Sequence, residues 1–286
     1  MQQQTKEKKA MKKHIYPVRK TEVVLDDDIE HLVFVSDFHA CIEPLITMSQ
    51  LLADDSRKTK IISCGDMLPG GPSPEETVNW VYQNSGNAAV LGNHDEISRA
   101  LYKNGVNQYK WTQQEERKFG LLSNELQEYL RSLHDEIDLV WRGKRIFVTH
   151  GHRTRQEKGV SVRTPPVDIL KYFSDDPSVD LTVGGHTHCP FVGRAENGAL
   201  IANCGSTSMV SFGLREANGE IKSHNPKEPF VPDRKIYSSY VSVTLEKNAL
   251  HPEIIKFDYD RSVLLKRMRE IGGFEEAIAL VETGVW

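Results

Sequence analysis

Five short segments of the chain place carboxylate, imidazole or amide side chains directly after apolar stretches. They are Ser36-Asp37-Phe38-His39, Gly65-Asp66, Gly92-Asn93-His94-Asp95, Thr149-His150-Gly151-His152 and Gly184-Gly185-His186-Thr187-His188. Oxygen and imidazole nitrogen atoms of these types bind divalent transition metals, and there are enough of them for two ions. Paired cations can hold an oxyanion, generate hydroxide from water at neutral pH and stabilise a leaving oxygen. The segments therefore predict a two-metal hydrolytic centre.

The residue types within these segments suit shared coordination. Asp37 and His39 alternate across one residue, as do His186 and His188, so each pair projects to one side of an extended backbone. Asp66 follows a glycine, and its two carboxylate oxygens can bridge two cations. Each residue alone has an ordinary explanation as a turn aspartate or a core histidine. Recurrence after five apolar stretches favours metal binding over that explanation.

Strand and helix patterns alternate around the first three segments. Residues 31–36, 59–63 and 88–91 are short apolar stretches typical of buried strands, and residues 45–53 and 74–83 have helical patterns. This alternation predicts parallel strands joined by crossover helices. In such sheets, ligands bind beyond the carboxyl ends of the strands, which is where the candidate metal ligands stand.

The rest of the chain adds helices and antiparallel strands. Residues 112–133 predict a helical layer or cap, with a capping box at Thr112 to Glu115 and a weaker one beginning at Asn124. We expect a hairpin around Gly143, a ribbon between residues 237–245 and 251–257, and a long exposed loop over residues 213–234. Further short strands are expected at 181–183, 191–192 and 200–202, and helices at 261–271 and 274–282.

These elements predict a single α/β domain. Its expected fold is a four-layer αββα sandwich of two mixed β-sheets flanked by helices, with the metal site above the strand ends. The domain is expected to cover residues 31–286, with a helical insertion near 112–133. Residues 1–30 are rich in lysine and are expected to form a flexible basic leader.

The order of the five segments resembles that of the calcineurin-like metallophosphoesterases. The resemblance implies that one metal is bound by Asp37, His39, Asp66 and His188, and the second by Asp66, Asn93, His150 and His186. Asp66 would then bridge the ions. It also implies divalent transition metals, with manganese first and iron or zinc as alternatives.

Three other features are similar to the small bacterial and archaeal branch of that family. They are the loop from Gly65 to Pro72, the turn Asn203-Cys204-Gly205-Ser206 and the pair Tyr259-Asp260. This sequence departs from the family pattern at two places. Ala40-Cys41 stands where the family commonly has Gly-Asn, and Cys204 replaces the proline of an N-P-G-S turn. Neither removes a ligand, but both are expected to alter the pocket.

The chemistry expected of such a centre is hydrolysis at phosphorus. Two divalent ions that face only two carboxylates leave net positive charge, which attracts a phosphate ester, and water between them becomes a hydroxide nucleophile. His94 is the candidate acid for the leaving oxygen, and Asp95 would orient its imidazole. The alternative is that His94 only supports the pocket through hydrogen bonds. The predicted activity is hydrolysis of a phosphomonoester, a phosphodiester or a nucleotide phosphoanhydride.

Composition narrows the class of partner. The 286 residues carry a net charge of -4, which disfavours a nucleic-acid-binding surface and hence a nuclease. No apolar stretch approaches the about 18 residues that span a bilayer, and the start lacks a signal sequence, so we expect a cytoplasmic protein. The expected partner is a small phosphorylated substrate, including nucleotides, and a homo-oligomer is left open. A non-catalytic interaction scaffold of the same fold is the alternative from a different class.

Overall fold

The computed structural model describes residues 18–96, 117–151, 176–195, 198–215, 218–223, 231 and 235–285. Within this part of the chain, a four-stranded and a six-stranded β-sheet face each other. Both sheets mix parallel and antiparallel strand pairs. The predicted α/β sandwich of two mixed sheets with helices is therefore confirmed.

The four-stranded sheet has the order β12, β11, β2, β3. These strands are β2 (His31–Val35), β3 (Thr59–Ser63), β11 (Ser238–Glu246) and β12 (Ala249–Phe257). Every residue of β2 is buried, because the strand is central and both faces of the sheet are covered. Val33 and Val35 pack towards the helices, and Leu32 and Phe34 pack towards the second sheet.

Three helices share a core with the four-stranded sheet: α1 (Glu43–Ala53), α2 (Pro74–Ser85) and α3 (Asn124–Ser132). A proline lies in the first turn of both α1 and α2, where its missing N–H costs no helical hydrogen bond. Helix α3 begins after Ser123, whose Oγ accepts a hydrogen bond from the Leu126 N–H. The predicted cap at Asn124 is therefore one residue too late, and the predicted cap at Thr112 lies outside the described residues.

The six-stranded sheet has the order β1, β4, β5, β6, β8, β7. Its strands are β1 (Lys20–Val24), β4 (Glu136–Trp141), β5 (Lys144–Thr149), β6 (Leu181–Gly184), β7 (Phe191–Arg194) and β8 (Leu200–Asn203). Arg142 and Gly143, with φ of 48° and 77°, form the two-residue turn between β4 and β5. The apolar core between the sheets includes Trp141, whose Nε1–H donates to the Ile29 carbonyl at 3.0 Å.

Two parts of the chain are more ordered than the sequence suggested. Strand β1, which lies within the expected basic leader, pairs in parallel with β4 along its whole length. In the expected loop over residues 213–234, β9 (Gly213–Arg215) and β10 (Ile221–Ser223) form an antiparallel pair. By contrast, residues 88–91 make isolated bridges through Ala89 and Val90 instead of a full strand.

The chain ends in α4 (Arg261–Ile271) and α5 (Glu275–Thr283), close to the predicted bounds. The Asp260 side chain caps α4 by accepting from the Ser262 N–H at 2.9 Å. Leu264 and Leu280 of these helices share a small core with Cys41, which follows the first of the five candidate segments. None of the helices in the described residues is long and apolar enough to cross a membrane.

Candidate metal centre

The candidate ligands converge because the strands that precede them end at the same edge of the two sheets. Backbone hydrogen bonds join the segments directly: the Asp37 N–H donates to the Gly65 carbonyl at 3.0 Å, and the Gly185 N–H donates to the His150 carbonyl at 2.8 Å. The first bond links segments of the four-stranded sheet, and the second links segments of the six-stranded sheet. The candidate ligands that these segments carry are the seven predicted from the sequence: Asp37, His39, Asp66, Asn93, His150, His186 and His188.

Asp37, His39 and His188 form a first donor group. The Nε2 atoms of His39 and His188 are 3.0 Å apart, and His188 Nε2 lies 3.1 Å from Asp37 Oδ1. His39 Nε2 lies 3.8 Å from the same oxygen. All three side chains are buried, so these donor atoms face one another with little access to water.

Asp66, His150 and His186 form a second donor group, and Asn93 joins it. His150 Nε2 lies 3.1 Å from Asp66 Oδ2 and 3.2 Å from Asn93 Oδ1. His186 Nδ1 lies 2.7 Å from Asn93 Oδ1. Asp66 Oδ1 accepts a hydrogen bond from the His94 N–H at 3.0 Å, so Oδ2 is the oxygen that faces His150.

The histidine hydrogen bonds suit metal binding. The Nδ1 atoms of His39, His188 and His150 lie 3.1, 2.5 and 2.7 Å from the backbone carbonyls of Pro69, Met209 and Cys64. A carbonyl accepts only from N–H, so each Nδ1 carries a proton, and Nε2 is the nitrogen that faces the donor group and can bind a metal once it carries no proton.

Asp37 Oδ1 gives a second indication of a cation. It is buried, and the groups that face it in the described structure are the Nε2 atoms of His188 and His39, with no hydrogen bond from a backbone N–H or a hydroxyl. A buried carboxylate oxygen without a hydrogen-bond donor is costly unless a positive charge lies beside it. Carboxylate, amide and imidazole donors without thiolate are the ligand set of divalent transition metals, so the residues present fit such ions.

Backbone strain is concentrated at the same residues. Asp37, His39, Asp66, His186 and His188 have φ between 46° and 72°, in the left-handed region that residues with a side chain seldom adopt. Each such conformation costs roughly 1 to 3 kcal/mol and persists only where surrounding contacts enforce it. Strain at five of the seven candidate ligands is typical of a functional site.

Two glycines allow the ligand segments to approach closely. A Cβ on Gly92 would lie 2.0 Å from Asp66 Oδ1 and 2.4 Å from the Asp66 nitrogen. A Cβ on Gly185 would lie 1.9 Å from Ser36 Oγ and 2.5 Å from Asp37 Oδ2. Any side chain at either position would therefore displace a candidate metal ligand.

Electrostatics keep the two carboxylates ionised. Burial alone would raise the pKa of Asp37, but the neighbouring His188 and His39 hold it well below its usual range. The pKa of Asp66 is likewise lowered, because His150 and other histidines outweigh the effect of burial. Burial lowers the pKa of His39, and it lowers that of His186 to about 4. For His150, burial is outweighed by Asp66, which raises the pKa to about 10.

His94 and Asp95 occupy different environments. The His94 ring is half-buried and lies edge-on to the His39 ring, with centroids 5.5 Å apart, so it borders the first donor group. Asp95 is fully buried, and its carboxylate accepts from the backbone N–H groups of Gly92, Met67 and Leu68 at 3.0, 3.2 and 3.0 Å. Their roles in proton transfer stay predictions. His152, in the fourth segment, lies outside the described residues.

The segment after β8 supports the site in a way that sequence reasoning missed. Ser206 donates through Oγ to the Asp37 carbonyl at 2.7 Å, and Asn203 donates through Nδ2 to the Gly185 carbonyl at 2.7 Å. The sequence did contain one signal for this segment, because Asn203-Cys204-Gly205-Ser206 resembles an N-P-G-S turn. Cys204, which replaces the proline, is buried with its Sγ 3.8 Å from that of Cys64.

Comparison with known proteins agrees with this geometry. A model of the calcineurin-like phosphoesterase superfamily domain matches residues 31–219, about two-thirds of the chain. The chain belongs to the calcineurin-like phosphoesterase superfamily. The family and the two donor groups together indicate a site for divalent metal ions.

Two solved structures resemble this superfamily member over most of its length. A metallophosphoesterase from Sphaerobacter thermophilus covers 90% of this chain and 99% of its own, with a TM-score of 0.64 and 21% identity. A hypothetical protein from Pyrococcus horikoshii covers 92% and 99%, with a TM-score of 0.66 and 14% identity. At these identities the superpositions show a shared fold alone.

One relative has a named activity. The symmetrical bis(5'-nucleosyl)-tetraphosphatase of Pseudomonas fluorescens is 32% identical over 71 residues, which are 24% of this chain and 25% of that protein. The match therefore spans only about a quarter of the length of that relative.

Proposed function

We propose that this protein is a phosphoesterase that depends on two divalent metal ions. Asp37, His39 and His188 would hold one ion, Asn93, His150 and His186 the other, and Asp66 would contribute to both. The observation that carries the proposal is the orientation of the histidines: three imidazoles keep Nδ1 near a backbone carbonyl and present Nε2 to a buried carboxylate or amide oxygen. Buried carboxylate and imidazole groups clustered in this way need positive charge among them, which a bound metal ion would supply in place of a proton.

The proposed mechanism divides the work between the ions and the chain. When bound, the ions supply positive charge for phosphate oxygens and acidify water. The protein residues hold the donor atoms in fixed positions, because the backbone carbonyls of Pro69, Cys64 and Met209 orient the imidazoles. His94, at the border of the first donor group, donates a proton to the leaving oxygen.

For the substrate, we propose a nucleotide phosphoanhydride, with a dinucleoside polyphosphate as the first candidate. The short similarity to a bis(5'-nucleosyl)-tetraphosphatase supports this choice. Manganese is the first metal to test, followed by iron and zinc, since the mixed nitrogen and oxygen donors suit all three.

The complete donor set also helps to distinguish an enzyme from a non-catalytic interaction scaffold of the same fold. A protein that only binds partners does not need five candidate ligands in left-handed backbone conformations. Strained conformations of this kind cluster at functional sites. These features support an enzyme over a scaffold.

The test is a substrate panel in manganese. It compares p-nitrophenyl phosphate, bis-p-nitrophenyl phosphate, cyclic nucleotides, phosphopeptides and dinucleoside tetraphosphates, with Asp66→Asn as the control. We expect the wild type to hydrolyse at least one substrate and the variant to lose that activity by several orders of magnitude. Equal, near-background rates for both proteins on the whole panel would refute the proposal.

A further inference from the structure

Ser206 is a buried residue that belongs to none of the donor groups but contacts the chain at two places that hold ligands. Its Oγ donates to the Asp37 carbonyl at 2.7 Å. The same oxygen accepts from the Ser208 N–H at 3.1 Å and the Met209 N–H at 2.8 Å. One hydroxyl thus uses its donor and both acceptor positions.

These contacts connect two ligands of the first donor group. Ser206 holds Met209 by accepting from the Met209 N–H. The Met209 carbonyl lies 2.5 Å from His188 Nδ1, so Met209 in turn orients the His188 ring. On the other side, Ser206 fixes the carbonyl of Asp37, which is strained at φ 55°. Asp37 Oδ1 and His188 Nε2, 3.1 Å apart, therefore depend on the same hydroxyl for their relative position.

The second donor group has other supports. His150 Nδ1 lies 2.7 Å from the Cys64 carbonyl, and Asp66 Oδ1 accepts from the His94 N–H. Neither contact passes through Ser206. The loss of the Ser206 hydroxyl should therefore affect the two groups unequally.

We infer that Ser206 is a positioning residue that sets the metal affinity of the first donor group by locking Asp37 to His188. The inference rests on the proposed function, because it assumes that both donor groups bind divalent ions. It assigns a task to the turn Asn203 to Ser206. The hydroxyl holds one ion's ligands in place without touching the ion.

The experiment measures Mn²⁺ affinity by calorimetry and bound metal by metal content. It uses two variants, each of which keeps only one donor group intact. His186→Ala weakens the second group and leaves the first, whereas His39→Ala weakens the first and leaves the second. Adding Ser206→Ala to the His186→Ala protein should weaken the remaining site roughly 10- to 100-fold, as is usual when a support of a metal ligand is removed. Adding it to the His39→Ala protein should leave affinity within about threefold.

Ser242→Ala is the matched control. Ser242 is half-buried, and its Oγ lies at the same distance of 2.7 Å from Nε2 of His31, at the end of β2 opposite to Asp37. The control variant should lower stability to a degree similar to Ser206→Ala and leave Mn²⁺ affinity unchanged. If Ser206→Ala fails to fold, Ser208→Ala replaces it, because Ser208 Oγ donates to the Phe38 carbonyl at 3.0 Å and contacts the Asp37 carbonyl at 3.3 Å.

The outcomes separate the inference from the proposed function. A selective loss at the first group supports the inference. Unchanged affinity at that group, or an equal loss with Ser242→Ala, overturns it while the wild type still binds two ions. A wild type that binds no Mn²⁺ at all instead overturns the proposed function.

Discussion

His39 and His188 face each other through their Nε2 atoms, which are 3.0 Å apart, although the residues are separated by 149 positions in sequence. Each ring keeps its Nδ1 within hydrogen-bonding distance of a backbone carbonyl. Two nitrogen lone pairs at this distance repel each other, and a shared cation removes the repulsion. This arrangement supports the proposal that the first donor group binds an ion.

Metal binding should raise thermal stability. At a Mn²⁺ concentration 100 times the Kd, a site that binds only the folded chain stabilises it by about 2.7 kcal/mol. For a domain of this size we expect Tm to rise by roughly 5 °C or more, measured by differential scanning calorimetry with and without chelator. The Asp66→Asn protein should show a much smaller rise. An equal rise in both proteins would indicate non-specific binding.

Metal binding should also release a proton. Metal-free His150 has a pKa raised to about 10, so it is protonated at pH 7.5, whereas His186, with a pKa of about 4, is already neutral. Because a metal binds only neutral imidazole, loading the second group must remove the His150 proton. Calorimetry in buffers of different ionisation enthalpy should detect about one proton released, and affinity should rise about tenfold per pH unit below pH 10. Release of no proton at pH 7.5 would contradict the pKa assigned to His150.

His94→Ala should slow the reaction in a way that depends on the leaving group. If His94 protonates the leaving oxygen, kcat for phenyl phosphate should fall roughly 10²- to 10⁴-fold, and kcat for p-nitrophenyl phosphate should fall much less. The poorer leaving group needs the proton more. Metal content should stay at the wild-type value. Equal losses on both substrates would indicate that His94 only supports the pocket.

Asp95→Asn should loosen the two segments that carry Asp66 and Asn93. Both Asp95 oxygens accept from backbone N–H groups, so an amide would place its own N–H against one of them. We expect a loss of about 1 to 3 kcal/mol in the free energy of unfolding, measured with urea on metal-free protein, together with weaker metal binding.

Asp135→Asn is the control for this variant. Asp135 is also buried and accepts from the Arg19 N–H at 2.7 Å, and neither residue belongs to a donor group. The Asp135→Asn protein should lose stability and keep the metal affinity of the wild type. If Asp95→Asn lowers kcat while stability and metal affinity stay unchanged, Asp95 instead acts on His94, as the sequence suggested.

Gly185→Ala should displace Asp37. The new Cβ would meet Ser36 Oγ at 1.9 Å and Asp37 Oδ2 at 2.5 Å, and both atoms are buried. We expect loss of the ion in the first donor group, measured as metal content, with the fold retained by circular dichroism. Gly193→Ala should be tolerated, because its Cβ would meet only the end of the half-buried Phe191 ring. Full metal content in Gly185→Ala would show that the segment can shift without cost.

The sequence was sufficient to predict the parts of the fold that repeat a simple pattern. Strand β2 is mostly apolar and ends two residues before Asp37, and β3 ends three residues before Asp66, so the strands and the candidate ligands beyond them could be predicted together. The donor groups follow because these strands are neighbours in one sheet.

Features that depend on distant partners could not be predicted. Strand β1 is short and half polar, and it becomes recognisable only beside β4, 116 positions later. The hydroxyl of Ser206 likewise has no periodicity that marks it, because its partners are backbone atoms of Asp37 and Met209. Side chain to backbone contacts of this kind leave little trace in one sequence.

The left-handed backbone at Asp37, His39, Asp66, His186 and His188 sets two opposed requirements at the same positions. Glycine adopts this conformation without a steric penalty, so replacing any one of these residues by glycine would relieve strain while deleting a candidate ligand. The residue that best suits the backbone would thus remove a donor atom from the site. Stability of the fold and completeness of the donor set cannot both be improved at these five positions.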